Sequence, residues 1–367
     1  MRAVALLLLA WLLAGCDAAP RDVMLHAADR PPALLSEWGV VYAAGGRLHL
    51  NDGVIPYDLN APLFSDYALK LRTTWLPPEA AATYSDTAEF DFPVGTIVSK
   101  TFFYQKAPDW RRDNAGAVMR HGEYTMAPGA TLDLHEYVLL ETRLLVRYAA
   151  GWRAFPYVWN SEQSDASLAI AGDVRALQLL ADDGASEINY LVPDANQCAG
   201  CHTPDHSAGE LRLLGPKAWQ LSRAYEWWGD DSNQLQHWVA AGLLQRTPAA
   251  MPMQPFNAEQ RVKAYLDANC AHCHNPSGPA DTSALHLGLD APVDRHYGIC
   301  KTPVAVGRGS GDRPYDIYPG RPDDSILVYR MEHTDPAIAM PELGRSAVHA
   351  EGVAMVRQWI LALPGEC

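Results

Sequence analysis

The chain has 367 residues, a formal net charge of -14 and a pI near 5.3. Its length allows two or three domains. So acidic a surface repels phosphate backbones and argues against nucleic acid as a partner, while suiting a redox protein with a basic docking patch.

In chain order, Arg2 precedes an unbroken apolar run over residues 4–14, followed by Leu13-Ala14-Gly15-Cys16. A bilayer span takes about 20 residues, so the run is too short to cross and suits the apolar region of a signal peptide. Leu-Ala-Gly-Cys resembles a bacterial lipobox, which makes residues 1–15 the signal peptide, Cys16 the lipidation site and residues 16–33 a tether. The alternative is an ordinary signal peptide with a chance cysteine. A lipidated Cys16 anchors the chain by acyl chains on the periplasmic side of a bacterial membrane. Asp17 resembles an inner-membrane retention signal. Beyond Ala14 no segment is both long and apolar enough to span.

Residues 34–192 carry strand signals: Gly39-Val40-Val41-Tyr42, Thr96-Ile97-Val98, Thr101-Phe102-Phe103-Tyr104, Tyr137-Val138-Leu139-Leu140, Arg143-Leu144-Leu145-Val146 and Ile188-Asn189-Tyr190-Leu191. Short β-branched and aromatic runs between Gly, Pro, Asn and Asp clusters predict an antiparallel sandwich or barrel. His121, His135, Asp91 and Tyr124 lie in this region, but their spacing defines no site. The region reads as a docking or scaffold domain.

Two copies of Cys-x-x-Cys-His follow: Cys198-Ala-Gly-Cys201-His202 and Cys270-Ala-His-Cys273-His274. Two thiols three residues apart can share a helical turn and reach both vinyl groups of one porphyrin, with the histidine placed beneath the iron. The motifs thus predict two covalently bound haem c groups, with His202 and His274 as iron ligands. Structural zinc is the alternative, because paired Cys-x-x-Cys units also hold that metal. His272, between the second pair, reads as exposed.

Residues 193–256 and 257–367 are expected to form two mainly α-helical haem domains. In the first, Leu214-Gly215-Pro216 is placed to brace the imidazole of His202 through a backbone carbonyl. Ser232 reads as the N-cap of a helix over residues 233–244, with Trp227 and Trp228 packing nearby. Met251 and Met253 are the first choices for the sixth iron ligand, with His206 and His237 as rivals. In the second, a helix over 257–269 runs into Cys270. A glycine-rich loop (Gly307-Arg308-Gly309-Ser310-Gly311), a helix over 325–331, Met340-Pro341 and a helix over 348–361 follow, the order of a class I c-type cytochrome. Met340 is its expected sixth ligand and Met331 the rival. Of seven cysteines, only Cys300 and Cys367 remain unassigned, and in an oxidising compartment they are expected to pair.

Segments along most of the chain resemble a family of bacterial di-haem c-type cytochromes, many of them lipoproteins with a β-rich N-terminal region. They are Pro56-Tyr57-Asp58-Leu59-Asn60-Ala61-Pro62-Leu63-Phe64-Ser65-Asp66-Tyr67, Glu141-Thr142-Arg143-Leu144-Leu145, Tyr157-Val158-Trp159-Asn160, the stretch from Ala264 to Asn275, and Met340-Pro341-Glu342-Leu343-Gly344-Arg345. The resemblance implies a multidomain protein, a mainly-β sandwich or barrel followed by two mainly-α cytochrome domains. The expected function is single-electron transfer between periplasmic or membrane redox proteins. The alternatives are a di-haem peroxidase or MauG-like enzyme, and the electron-accepting subunit of a periplasmic dehydrogenase.

Overall fold

The computed structural model describes residues 22–111, 116–126, 129, 131–229, 233–248, 256–304 and 306–367. Its frame is a six-stranded antiparallel sheet in the order β11-β10-β9-β6-β4-β3. These strands are β3 (Ile55–Tyr57), β4 (Leu69–Trp75), β6 (Ile97–Gln105), β9 (Tyr137–Tyr148), β10 (Gly151–Trp159) and β11 (Ala166–Leu168). β1 (Val41–Ala44), β2 (Arg47–Leu50) and β8 (Leu132–Asp133) form a second sheet. β12 (Asp173–Ala181) and β13 (Gly184–Val192) form a third with β7 (Ala117–Met119).

The two faces of the large sheet differ, because side chains alternate along a strand. One face buries Leu71, Ile97, Phe103, Leu144, Phe155 and Tyr157 with Trp38 in a continuous apolar core. Trp38 donates from Nε1 to the Tyr157 hydroxyl at 2.6 Å, satisfying a polar atom that burial would otherwise orphan. The other face carries a cross-strand row of cations, since the register places Arg72 opposite Lys100 and Lys100 opposite Arg143.

The expected architecture is corrected here. The protein is mainly β, 27% strand and 21% helix, with several sheets and few helices rather than two mainly-α cytochrome domains. The helices are α1 (Ala195–His202), α2 (Ala218–Leu221), α3 (Gln234–Ala240), α4 (Ala258–Leu266), α5 (Ile326–Met331) and α6 (Ala350–Ala362). Only α6 exceeds three turns. The physical reason lies in the connections. Between α4 and α5, Pro276, Gly278, Pro279, Gly288, Pro292, Gly298, Pro303 and Gly307 recur too often for a helix to propagate beyond its costly nucleus.

Nor does the segment around α2 and α3 build a core of its own. Leu213, Leu221, Leu235 and Trp238 pack with Tyr57, Phe90, Phe92 and Trp152 of the β region. β14 (Leu244–Gln245) adds in parallel to β5 (Ala82–Thr83). The C-terminal portion has a separate core, in which Val262 and Leu266 of α4 meet Val328 of α5 and Val356 and Ile360 of α6.

Cys300 and Cys367 are joined, closing a sequence separation of 67 residues around that core. A loop of this size stabilises by about 4 kcal/mol in the chain-entropy model. The Cys300→Ala/Cys367→Ala variant should lose about that much in a urea unfolding titration; an unchanged midpoint would show that the bridge adds nothing.

Candidate functional site

The first Cys-x-x-Cys-His segment occupies α1. Its start is set by Asp194, whose carboxylate accepts from the Gln197 amide at 2.8 Å, while the Gln197 side chain accepts from the Asp194 amide at 3.0 Å. This reciprocal cap satisfies two free helix-end donors just ahead of Cys198. α4 is capped the same way by Asn257 and Gln260 and runs into a π turn, Asp267–Ala271, that delivers Cys270. Such turns inside helices frequently mark functional sites.

The fold brings the two motifs together. Cys273 Sγ lies 3.8 Å from the Gly200 carbonyl, between the two cysteines of the first motif. His206 donates from its backbone amide to the Ser277 carbonyl at 3.0 Å, and Asn275 Nδ2 donates to the Pro204 carbonyl at 3.2 Å. Residues 71 apart in sequence are thus laced into one wall.

Beside these contacts lies a chamber open to solvent. Its floor is the cationic face of the large sheet, with Val98, Lys100, Phe102, Arg143 and Leu145. α1 contributes Cys198, Cys201 and His202, and the C-terminal portion contributes His272, Met331, Met340 and His349. Cys270, Cys273 and His274 do not line it. His272, expected to be exposed, does, and its buried Nδ1 has no hydrogen-bond partner.

The sulfur and imidazole groups are held neutral. Burial pushes Cys270 and Cys273 up to about 12 and also raises Cys198 and Cys201. Burial lowers His202, His272, His274 and His349 to about 4, assisted at His202 and His272 by the Lys100 charge. His202 donates from Nδ1 to the Arg212 carbonyl at 2.7 Å, leaving Nε2 as the lone-pair nitrogen. The carbonyl comes from Arg212, not from the Gly215-Pro216 pair two positions beyond Leu213. His274 Nδ1 pairs with Ser283 Oγ at 3.0 Å.

The Lys100 ammonium has no carboxylate within ion-pair distance among the described residues and lies 5.6 Å from the Phe102 ring centroid. Burial and the neighbouring Arg72 and Arg143 charges lower it to about 7, against the opposing pull of Glu141. Arg143 is paired with the buried Glu141, which accepts from its Nε at 2.8 Å and from a terminal nitrogen at 2.5 Å. Arg72 pairs with Asp58 at 3.1 Å. None of these charges was singled out in the sequence. The available signal was the presence of Arg72, Lys100 and Arg143 inside strand-like runs, where an ionic side chain needs a reason to be half-buried.

The other sequence candidates go elsewhere. His237 stacks on Trp228 with ring centroids 4.8 Å apart, and Trp227 packs against the apolar core of the large sheet. His121 reaches Glu351 at 3.7 Å, Tyr124 donates to the Lys70 carbonyl, Asp91 pairs with Thr83 through the backbone, and the His135 amide donates to Asp133. Cys16, Ser232, Met251 and Met253 lie outside the described residues.

The two covalently bound haem c groups expected from the motifs are corrected on this structure. Among the described residues no group of three or more His, Cys, Asp and Glu side chains gathers that could hold a metal ion. The helices are few, and the second motif's cysteines and His274 stand outside the chamber that its expected partner Met340 lines.

A scan against protein-family models and searches of curated proteins and solved structures were made with this chain. None matches. The family resemblance therefore rests on the sequence segments that carry it. Among the described residues no helix is long and apolar enough to cross a membrane.

Proposed function

We propose that this protein transfers electrons between protein partners on the periplasmic side of a bacterial membrane, where a lipidated Cys16 tethers it. The convergence of two Cys-x-x-Cys-His segments carries this reading: Cys273 meets the backbone of the first motif, whose Cys198, Cys201 and His202 line the chamber. Four thiols held protonated are poor nucleophiles, which speaks against a thiol-exchange catalyst, whose attacking cysteine needs a lowered pKa. The net charge of -14 suits docking to basic redox partners, with association that weakens as salt rises.

The test is an anaerobic reductive titration of the full chain purified from a bacterium that exports it, followed by optical and EPR spectra of the oxidised and reduced forms. Reversible uptake of electrons by the oxidised form of the protein is expected. A wild-type protein that takes up no electrons reversibly would overturn the proposal, whatever group was expected to hold them.

A further inference from the structure

On one face of the large sheet, Lys70 and Arg72 of β4, Lys100 of β6 and Arg143 of β9 stand side by side, by register and by strand alternation. Four cations there face two paired carboxylates, Asp58 on Arg72 and Glu141 on Arg143. The nearby Asp66 is occupied otherwise, accepting from the Ser346 and Ala347 amides at 2.6 and 2.7 Å. Lys70 is buried and finds only the Ala68 carbonyl, at 3.0 Å. Lys100 has no acceptor among the described residues and lines the chamber together with Arg143.

Like charges directly opposite across antiparallel strands repel. Lys100 and Arg143 of this row reach the chamber, where an anion would offset that repulsion. Much of the remaining wall is apolar, Phe64, Leu145, Met331 and Met340 included, with Arg345 as a further cation and His202, His272 and His349 as polar groups. Small-molecule sites combine such mostly apolar walls with a few placed polar groups.

We infer that the chamber binds an amphiphilic organic acid, its carboxylate set on Lys100 and Arg143 and its apolar body between the sheet floor and the Met331–Met340 side. The bound carboxylate supplies the acceptor that Lys100 lacks and offsets the repulsion along the row. The site belongs to the same chamber as the electron-transfer reading, but it stands on the cation row rather than on the cysteines. The reductive titration reads a different quantity on the wild-type protein, so either can fail alone.

Isothermal titration of the full chain with naphthalene-2-carboxylate, and with its uncharged methyl ester, tests this. The carboxylate should bind with one-to-one stoichiometry and the ester at least tenfold more weakly. Lys100→Gln should weaken the carboxylate at least tenfold, and Lys100→Arg should largely retain it. The unliganded Lys100→Gln protein should melt no lower than wild type, since it loses an uncompensated charge, so a lost heat of binding is not lost folding. No binding of the carboxylate at millimolar concentration, equal binding of the ester, or an unchanged affinity in Lys100→Gln would each overturn the inference.

Discussion

Replacing Glu141 by alanine should lower the unfolding free energy by about 3 kcal/mol, the low end of the range for breaking a buried ion pair. Glu141 is fully buried, and its carboxylate accepts three hydrogen bonds: two from Arg143 and one from the Tyr190 hydroxyl at 2.6 Å. Truncation leaves a guanidinium and a phenol without their acceptor. It also leaves the cation row of the large sheet with one carboxylate, on Asp58, instead of two. The low end applies because the Arg143 side chain is 27% exposed and water can replace part of the loss. Glu141→Gln keeps the volume and one acceptor, so it should cost less. Urea midpoints of the two variants, with the slope unchanged, read this directly. A loss below about 1 kcal/mol in Glu141→Ala would show that the pair barely exceeds its own desolvation cost.

Acid should destabilise the fold steeply between pH 6.5 and 4. His202, His272, His274 and His349 are lowered from 6.5 to about 4, first of all by burial. In that window the unfolded chain takes up protons that the folded chain refuses. The stability these groups contribute is therefore fully present above 6.5, falls as the pH drops, and is gone below about 4. Each fully titrating histidine contributes a slope of at most about 1.4 kcal/mol per pH unit; the His349 side chain, 26% exposed, should give less. Asp66 and Asp316 act the other way. Burial raises both, so they penalise the fold at neutral pH and the penalty is relieved as they take up protons. Two such carboxyls oppose four imidazoles, and the histidines win. Urea midpoints at pH 7, 6, 5 and 4 should fall progressively, and His349→Gln should flatten the curve. A midpoint that holds steady from pH 7 to 4 would refute the burial of these imidazoles.

The sequence and the structure agree where the signal is local. The helix expected over residues 257–269 begins at Ala258. The Asp194-x-x-Gln197 box was equally legible and would have placed Cys198 on a helix. Agreement ends where polar residues interrupt an apolar run. Residues 96–98 and 101–104 read as two strands separated by Ser99 and Lys100, yet β6 is continuous over Ile97–Gln105. Residues 137–140 and 143–146 likewise merge into β9, across Glu141 and Thr142. Those polar positions are not turns. Lys100 and Glu141 stand on the sheet face that carries the cation row, while Ser99 and Thr142, on the opposite face, hydrogen-bond Thr73 and Thr101.

By itself the sequence determined the two Cys-x-x-Cys-His segments and the helix that runs into Cys270, because each depends on neighbours within a few residues, and the excess of negative charge, which is a matter of composition. Tertiary structure alone decided that the first motif's surroundings share a core with the β region. It alone set Cys273 against Gly200, moved His272 into the chamber and left Cys270 and His274 outside it. The reason is physical. Spacing and capping act over one or two turns, whereas a cross-strand register such as Arg72–Lys100–Arg143 joins residues 28 and 43 positions apart. Its charges show their purpose only once those strands lie side by side beneath a cavity.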